Sequence, residues 1–265
     1  MENKLQNTTQ DNSISLGLPC FNEEKNINLV LDDCINILSS NFNNWEILVV
    51  DNKSSDRTVE VVNHKINQYS QYKGKIKLIK NEKNILYSGS SQKIYDEANY
   101  KTIAMMDADN QYNPEDIIKC YNKMIENNSD LVFGFRKKRK DGIFRNIVSL
   151  IFNIMISILI KSKLSDINCG LKILKKYKEI YFLKGLNHIN PEIYVSFFSD
   201  NKKIIEVEID HKNRNFGDSV NSFWGIANSF IKIIIYLLKL RKKYLNWSIF
   251  IFKYPHHYNF QKNFS

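Results

Sequence analysis

Short apolar runs alternate with amphipathic stretches along the first half of the chain. Ile14 to Leu18 reads as a strand broken at Pro19, and Asn26 caps a helix whose apolar residues Ile27, Val30, Leu31, Cys34, Ile35 and Leu38 recur at helical spacing. Glu46 to Val50 is a second apolar strand, followed by a helix from Thr58 to Tyr69 that Ser55 or Asp56 can cap, and Lys75 to Ile79 is a third strand. Ser88 to Ser91, with Gly89, opens a helix into Ala98; Thr102 to Met106 is the fourth strand, and helix Pro114 to Glu126 and strand Leu131 to Phe135 follow. This alternation predicts an α/β fold, a mainly parallel central sheet with helices on both faces.

After Arg136 the pattern changes. Lys137-Lys138-Arg139-Lys140 reads as a solvated basic loop. From Ile143 to Lys161 the polar residues Asn146, Ser149, Asn153 and Ser157 recur every three or four positions, a narrow wet stripe on an otherwise apolar helix. Phe223 to Lys243 repeats the design, with Asn228, Lys232, Tyr236, Lys239 and Lys243 on one side and Trp224, Ile231, Ile234 and Leu238 on others. Both are interrupted too often for a membrane span, which needs about twenty mostly apolar positions. They are expected to lie in a membrane interface, the second fringed by Lys239, Arg241, Lys242 and Lys243; the alternative is that both are core. Asp166 to Gly170 reads as a turn, and Ile204 to Ile209 as a strand leading into His211 to Ser219. The predicted organisation is a polar tail over 1–12, a folded region over 13–221, an amphipathic helix over 222–245 and a tail over 246–265, where His256 and His257 read as solvated.

Three apolar strands end in polar clusters: Phe21 to Glu23, Asp51 to Thr58, and Asp107-Ala108-Asp109-Asn110-Gln111. In parallel sheets ligands bind outside the carboxyl ends of the strands, so the three clusters predict one crevice. If the fourth strand stays extended past its end, Asp107, Asp109 and Gln111 face one point. Carboxylates held that close repel unless a cation lies between them or one is protonated. Oxygen ligands of this kind suit Mg²⁺ or Mn²⁺, which keep part of their shell for water and substrate phosphates. The plain alternative is a polar turn ahead of the helix at Pro114 and Glu115.

Composition narrows the partners. The 265 residues suffice for a full core, and the net charge of +10, from 38 basic and 28 acidic side chains, favours an anionic partner. Cys20, Cys34, Cys120 and Cys169 show no Cys-x-x-Cys spacing, which points to a reducing compartment rather than a zinc or disulfide framework. Residues Met1 to Ser13 lack the apolar core of an export signal.

Taken in order, Leu18-Pro19-Cys20-Phe21-Asn22-Glu23, Val50 through Thr58, Met106 through Gln111 with Pro114-Glu115, Asp166 through Lys172, and Arg214 through Ser219 resemble the family 2 glycosyltransferases of GT-A fold, and within them the polyprenyl-phosphate sugar transferases. The resemblance implies a nucleotide-sugar half over 13–136 and an acceptor half over 137–221. It implies that Pro19, Phe21, Glu23, Val50 and Asp51 line the nucleoside pocket and that Asp107 and Ala108 lie along the nucleotide. Asp109 and Gln111 would hold Mg²⁺ or Mn²⁺, and Arg136 and Arg214 would meet phosphates, with Asp109, Arg136 and Arg214 as the catalytic set. The implied reaction moves a sugar from a nucleotide diphosphate sugar to a polyprenyl phosphate, with inversion, at the cytoplasmic face of a membrane. No nucleic acid is expected as partner. Phe21 stands where tyrosine is usual, Asn52 where a second acid is common, and Val220 where a lysine often follows Ser219. Transfer to a glycan hydroxyl would need a base, for which Glu192 is the candidate; as a helix-start residue it has another role. A nucleotidyltransferase would need a Gly-rich loop by the first strand. A basic membrane- or RNA-binding protein is the alternative from outside enzymes; it lacks the aromatic platforms of an RNA module.

Overall fold

The computed structural model describes residues 12–137, 143–160, 162–178 and 189–213, with helical positions at 234–236, 238–239 and 242. The elements are β1 (Ser13–Cys20), α1 (Ile27–Asn41), β2 (Asn44–Asp51), α2 (Thr58–Gln68), β3 (Ile76–Lys80), α3 (Leu86–Glu97), β4 (Thr102–Met105), α4 (Glu115–Glu126), β5 (Leu131–Arg136), α5 (Ile143–Ile160), β6 (Lys172–Lys175), α6 (Ile189–Ser199) and β7 (Ile204–Ile209). They form one seven-stranded sheet in the order β3-β2-β1-β4-β6-β5-β7. All neighbours are parallel except β6, which runs antiparallel to both β4 and β5. The expected α/β architecture with a mainly parallel sheet is therefore present.

Strand alternation divides the core in two. Leu16, Leu18, Ile47 and Val49 meet α1 and α4 through Leu31, Cys34, Leu38, Ile117, Cys120 and Met124. Leu48, Val50, Ile103 and Met105 face the other way, onto Ile94 of α3, Ile156 and Ile160 of α5 and Ile193 and Phe197 of α6. Each such side chain contributes about 2 kcal/mol by leaving water. Helix α3 rides directly on β1, because a Cβ at Gly17 would sit 2.2 Å from Ile94 Cγ2.

Pro19 does not break β1. The Met106 N–H donates to Gly17 O and the Asn52 N–H to Cys20 O, so Pro19 turns its nitrogen toward β4, past the last pair Gly17↔Met105. A missing N–H costs nothing there. At the opposite end Glu46, expected only as the start of a strand, fastens three strands. Its carboxylate accepts from Ser15 Oγ (2.7 Å), Lys77 Nζ (2.8 Å) and the backbone and side-chain nitrogens of Asn99 (2.7 and 2.8 Å).

Several boundaries differ from expectation. Asn26 makes no side-chain cap; its amide donates to Glu23 Oε2 at 2.6 Å. Asp56 does engage the start of α2, accepting the Thr58 N–H at 3.0 Å. Helix α3 begins at Leu86, ahead of the Ser88 expected, and β6 and most of α6 have no counterpart in the sequence reading. Four residues of β6 are too few for a period, and its partner strands lie far away in sequence.

Helix α5 matches the predicted 143–161 segment, but its stripe is inverted. Asn153 Nδ2 donates to Ser165 O at 3.0 Å and Ser157 Oγ to Ser162 O at 2.9 Å, so these half-buried polar groups satisfy the turn that follows. The outward face is apolar: Leu150, Ile154 and Ile158 are 60%, 52% and 68% exposed. Among the described residues no helix is long and apolar enough to cross a membrane. Of the predicted helix over 222–245, Ile234, Ile235 and Leu238 are exposed beside exposed Lys239 and Lys242, while Tyr236 is buried. The remainder of that helix, the tails at 1–11 and 246–265, the run Lys138 to Lys140, and the side chains of Asn146 and Ser149 lie outside the described residues.

Candidate active site

Because β2, β1 and β4 are adjacent and parallel, their carboxyl ends leave the sheet along one edge. The loops after β1 and β2 are bonded into one rim. Asn22 N–H donates to Ser54 Oγ (2.9 Å), Ser55 N–H to Asn22 Oδ1 (2.8 Å), Glu23 N–H to Thr58 Oγ1 (2.8 Å) and Arg57 N–H to Glu24 Oε2 (3.0 Å). Asn22 and Lys53 hold left-handed backbone at φ 56° and 66°, the tight turns this interlock requires. Asp51 is buried at the tip of β2, where both carboxylate oxygens take the Ser54 N–H at 3.3 Å. Asn52 donates to Asn84 Oδ1 (2.8 Å) and accepts the Ile85 N–H (2.8 Å). An ionised aspartate could not donate, which explains an amide where a second acid was anticipated.

Pro19 is partly buried and Phe21 is 38% exposed, so both can meet a ligand at this rim. Glu23 is buried and already bonded to Asn26. Val50 differs from expectation: its side chain is fully buried in the core with Leu48 and Ile94, out of a ligand's reach.

The chain does not stay extended beyond β4. Asn110 is left-handed at φ 62°, and the Gln111 N–H folds back onto Asp109 Oδ1 at 3.2 Å, an Asx-type turn. The alternation argument for a single focus of Asp107, Asp109 and Gln111 thus loses its premise. Gln111 pairs with the segment after β7: Lys212 N–H donates to Gln111 O (2.8 Å) and Gln111 Nε2 to Lys212 O (3.3 Å). That pairing brings in His211, buried and edge-on to Tyr112 with ring centroids 5.6 Å apart. No local pattern flagged His211; the contact spans a hundred residues of sequence. Arg214, two residues beyond Lys212, lies outside the described residues.

Asp109 and Gln111 fit a hard divalent cation. Gln111 commits its amide nitrogen to Lys212, which leaves the amide oxygen out of that bond, and Asp109 supplies a carboxylate. Among the described residues no group of three or more His, Cys, Asp or Glu forms a cage. One carboxylate and one amide oxygen match the way Mg²⁺ is bound when substrate phosphates complete its shell.

Asp107 turns to a different neighbourhood. A Cβ on Gly170 would lie 2.2 Å from Asp107 Oδ2, so the Asp166–Gly170 turn packs flat against this carboxylate, while Oδ1 is buried with no hydrogen-bond partner. The turn is fixed from behind. Arg136 Nε and Nη2 donate to Asp166 Oδ2 (2.6 Å) and Oδ1 (2.9 Å), and Arg136 Nη1 to Tyr112 Oη (3.3 Å), which also accepts the Gly170 N–H (2.8 Å). Glu206 Oε1 accepts the Ser165 and Asp166 N–H groups at 2.7 and 3.1 Å, and burial raises its pKa. The expected phosphate contact of Arg136 is therefore not what the structure supports: its guanidinium fork is filled by a buried carboxylate. Glu192 is fully buried in α6, with Tyr236 Oη donating to its Oε2 at 3.4 Å. All four cysteines are free and buried. A cavity of ≈500 Å³ lined by Asn12, Phe42, Ile118 and Tyr121 lies at the opposite edge and holds none of the strand-tip acids.

The chain is 29% identical over 238 residues to dodecaprenyl-phosphate galacturonate synthase of Rhizobium johnstonii, covering 87% of this chain and 67% of that protein. It is 27% identical over 221 residues to undecaprenyl-phosphate 4-deoxy-4-formamido-L-arabinose transferase of Photorhabdus laumondii, covering 83% and 66%. The chain thus spans about two thirds of the length of these curated relatives. Among solved structures, glucosyl-3-phosphoglycerate synthase from Mycobacterium tuberculosis in complex with Mn²⁺, uridine diphosphate and phosphoglyceric acid superposes with a TM-score of 0.65 at 15% identity, over 86% of this chain and 78% of that one. At that identity the likeness is one of fold, and the fold is GT-A. The model of the family described as Glycosyl transferase family 2 matches residues 15–186, from β1 to beyond β6 and so including the turn that backs Asp107. Since that match takes in most of the chain and every acid-tipped strand, the protein belongs to glycosyl transferase family 2.

Proposed function

We propose that this protein moves a sugar from a nucleoside diphosphate sugar onto the phosphate of a polyprenyl lipid at a membrane surface, with inversion at the anomeric carbon. The observation that carries this reading is that one chain combines a rim of strand-tip acids with an α5 whose outward face is Leu150, Ile151, Ile154 and Ile158. Exposed apolar side chains in a row at helical spacing mark a surface that meets lipid or a partner. The exposed Ile235 and Leu238, fringed by Lys239 and Lys242, suit an anionic bilayer. The names of the relatives, which specify polyprenyl phosphates, support the same acceptor class.

In this reading Pro19, Phe21, Glu23 and Asp51 border the nucleoside, Asp107 lies along the nucleotide together with the backbone of Ala108, whose side chain is buried in the core, and Arg214 meets phosphate. Asp109 and Gln111 hold Mg²⁺ or Mn²⁺, which when bound offsets the charge gathering on the departing diphosphate. A lipid phosphate is already an anion, so its oxygen attacks the anomeric carbon without a base while the bond to the diphosphate breaks with its electron pair. A single displacement inverts the centre. Arg136 acts from behind, holding the wall against Asp107. Glu192 is fully buried and its carboxylate takes the Tyr236 hydroxyl, so it presents no face to an acceptor, which disfavours a glycan hydroxyl as acceptor.

The test is direct. Purified protein is incubated with labelled uridine and guanosine diphosphate sugars, undecaprenyl phosphate in detergent, and Mn²⁺. A chloroform-soluble labelled product that chelation abolishes is expected; label on added oligosaccharide instead would overturn the acceptor assignment.

A further inference from the structure

Lys172 is fully buried, yet no carboxylate lies within ion-pair distance of it among the described residues. Its ammonium donates to Gly170 O at 3.1 Å and to Tyr87 Oη at 3.3 Å, and sits 5.7 Å from the Tyr87 ring centroid. These two residues flank Asp107. Gly170 abuts its Oδ2, and Tyr87 reaches it from the start of α3. Burial, with the charge of Asp107 added, holds the Tyr87 phenol well above its ordinary pKa, so Tyr87 keeps its proton. With its oxygen accepting from Lys172, that proton is left to face the carboxylate. Burial pulls the Lys172 ammonium below its usual pKa while Asp107 pulls it back up, so the two charges sense each other across the hydroxyl.

A buried lysine gripping two neutral groups is costly, since neither returns what its hydration lost. Asp107 Oδ1 is equally uneconomical, a buried acceptor without a donor. One arrangement accounts for both. We propose that Lys172 is a positioning residue of the donor site, clamping Tyr87 and Gly170 on either side of Asp107 so that the unpaired Oδ1 is held ready to accept a hydrogen bond from the bound nucleotide sugar. The clamp joins three elements distant in sequence: α3, the segment after β4, and the first residue of β6. It also explains why a short antiparallel strand is wedged between β4 and β5, since Lys172 pairs with Met105 and Phe133 and so is delivered beside Asp107. The inference rests on Asp107 belonging to the donor site.

The experiment compares Lys172→Met, Lys172→Arg and Tyr87→Phe with the unaltered protein. Binding of uridine and guanosine diphosphate in the presence of Mn²⁺ is measured by calorimetry, thermal stability is recorded in parallel, and crystal structures show the Asp107 carboxylate. Lys172→Met is expected to weaken the preferred diphosphate about tenfold or more, as loss of a charged hydrogen bond does, with Lys172→Arg restoring most of the affinity. Tyr87→Phe, which keeps the lysine and removes the hydroxyl, is expected to weaken binding and let Asp107 move off Gly170; it carries the test should Lys172→Met fail to fold. A fall in stability with unchanged affinity and an unmoved Asp107 would overturn the proposal. If the unaltered protein binds neither diphosphate while Asp107 shifts in Tyr87→Phe, the clamp stands and the donor reading fails.

Discussion

Arg136 and Asp166 form a buried two-pronged ion pair, Nε to Oδ2 at 2.6 Å and Nη2 to Oδ1 at 2.9 Å, with both side chains less than a tenth exposed. The pair joins the end of β5 to the turn that backs Asp107, so it supports the site without facing a ligand. Removing one partner strands the other charge. Arg136→Met is therefore expected to destabilise the fold by about 3–5 kcal/mol, read from urea denaturation. A variant as stable as the original but weak in catalysis would mean that Arg136 contacts substrate directly.

Gly170 tests the wall itself. A methyl group there must displace Asp107 Oδ2 and Cγ, which would lie 2.2 and 2.5 Å away. Gly170→Ala should cost about 1–3 kcal/mol of stability, the usual range for overpacking. Nucleotide affinity should fall further than that of a distant substitution of equal stability cost, such as Ile76→Ala. Equal affinity in the two variants would detach Asp107 from the donor site.

Glu46 makes a pH prediction. Burial alone would raise its pKa, but Lys77, the Asn99 N–H and Ser15 outweigh burial and leave it below the ordinary carboxylate value. A group whose folded pKa is depressed stabilises the fold above its unfolded pKa, about 4.3 for glutamate, and loses that contribution as pH falls through the folded value. Acid unfolding below about pH 4 should thus be blunted in Glu46→Gln, with the variant less stable at neutral pH. Parallel stability curves for the two proteins between pH 3 and 7 (a range of about the carboxylate titration) would contradict this.

The outward face of α5 predicts lipid affinity. Replacing Leu150, Ile154 and Ile158 by serine removes exposed apolar area without touching the buried Phe152, Ile156 and Ile160. Sedimentation with vesicles of anionic lipid should fall about tenfold or more, since each buried methylene contributes about 0.8 kcal/mol. Unaltered thermal stability would accompany it. Unchanged sedimentation would assign the face to a protein partner.

How legible this was in the sequence depended on how local each signal was. The helical repeat of Ile27, Val30, Leu31, Cys34, Ile35 and Leu38 placed α1, and all six are buried. The acid tips after β1, β2 and β4 were visible because polar residues interrupt strands abruptly, and the parallel order β2-β1-β4 puts them on one edge. Strand β6 was not, because Lys172 is a charged residue inside a four-residue strand whose partners are Met105 and Phe133. The same holds for His211, which the pairing of Lys212 with Gln111 and the edge contact with Tyr112 bring to the site. The polar stripe on α5 was legible but its direction was not, since Asn153 and Ser157 turn to Ser165 O and Ser162 O of the following turn. Periodicity reports that two faces differ; it does not report what each one meets.

Asp109 carries the central claim, because its carboxylate, bonded to the Gln111 N–H at 3.2 Å, is the group assigned to the cation. The decisive measurement is transfer of labelled sugar to undecaprenyl phosphate by the unaltered protein and by Asp109→Asn, each with Mn²⁺ and after chelation. Lipid-linked product from the unaltered protein with Mn²⁺, and a loss of about a hundredfold or more on either chelation or substitution, is the result predicted. Equal product from Asp109→Asn after chelation would contradict it.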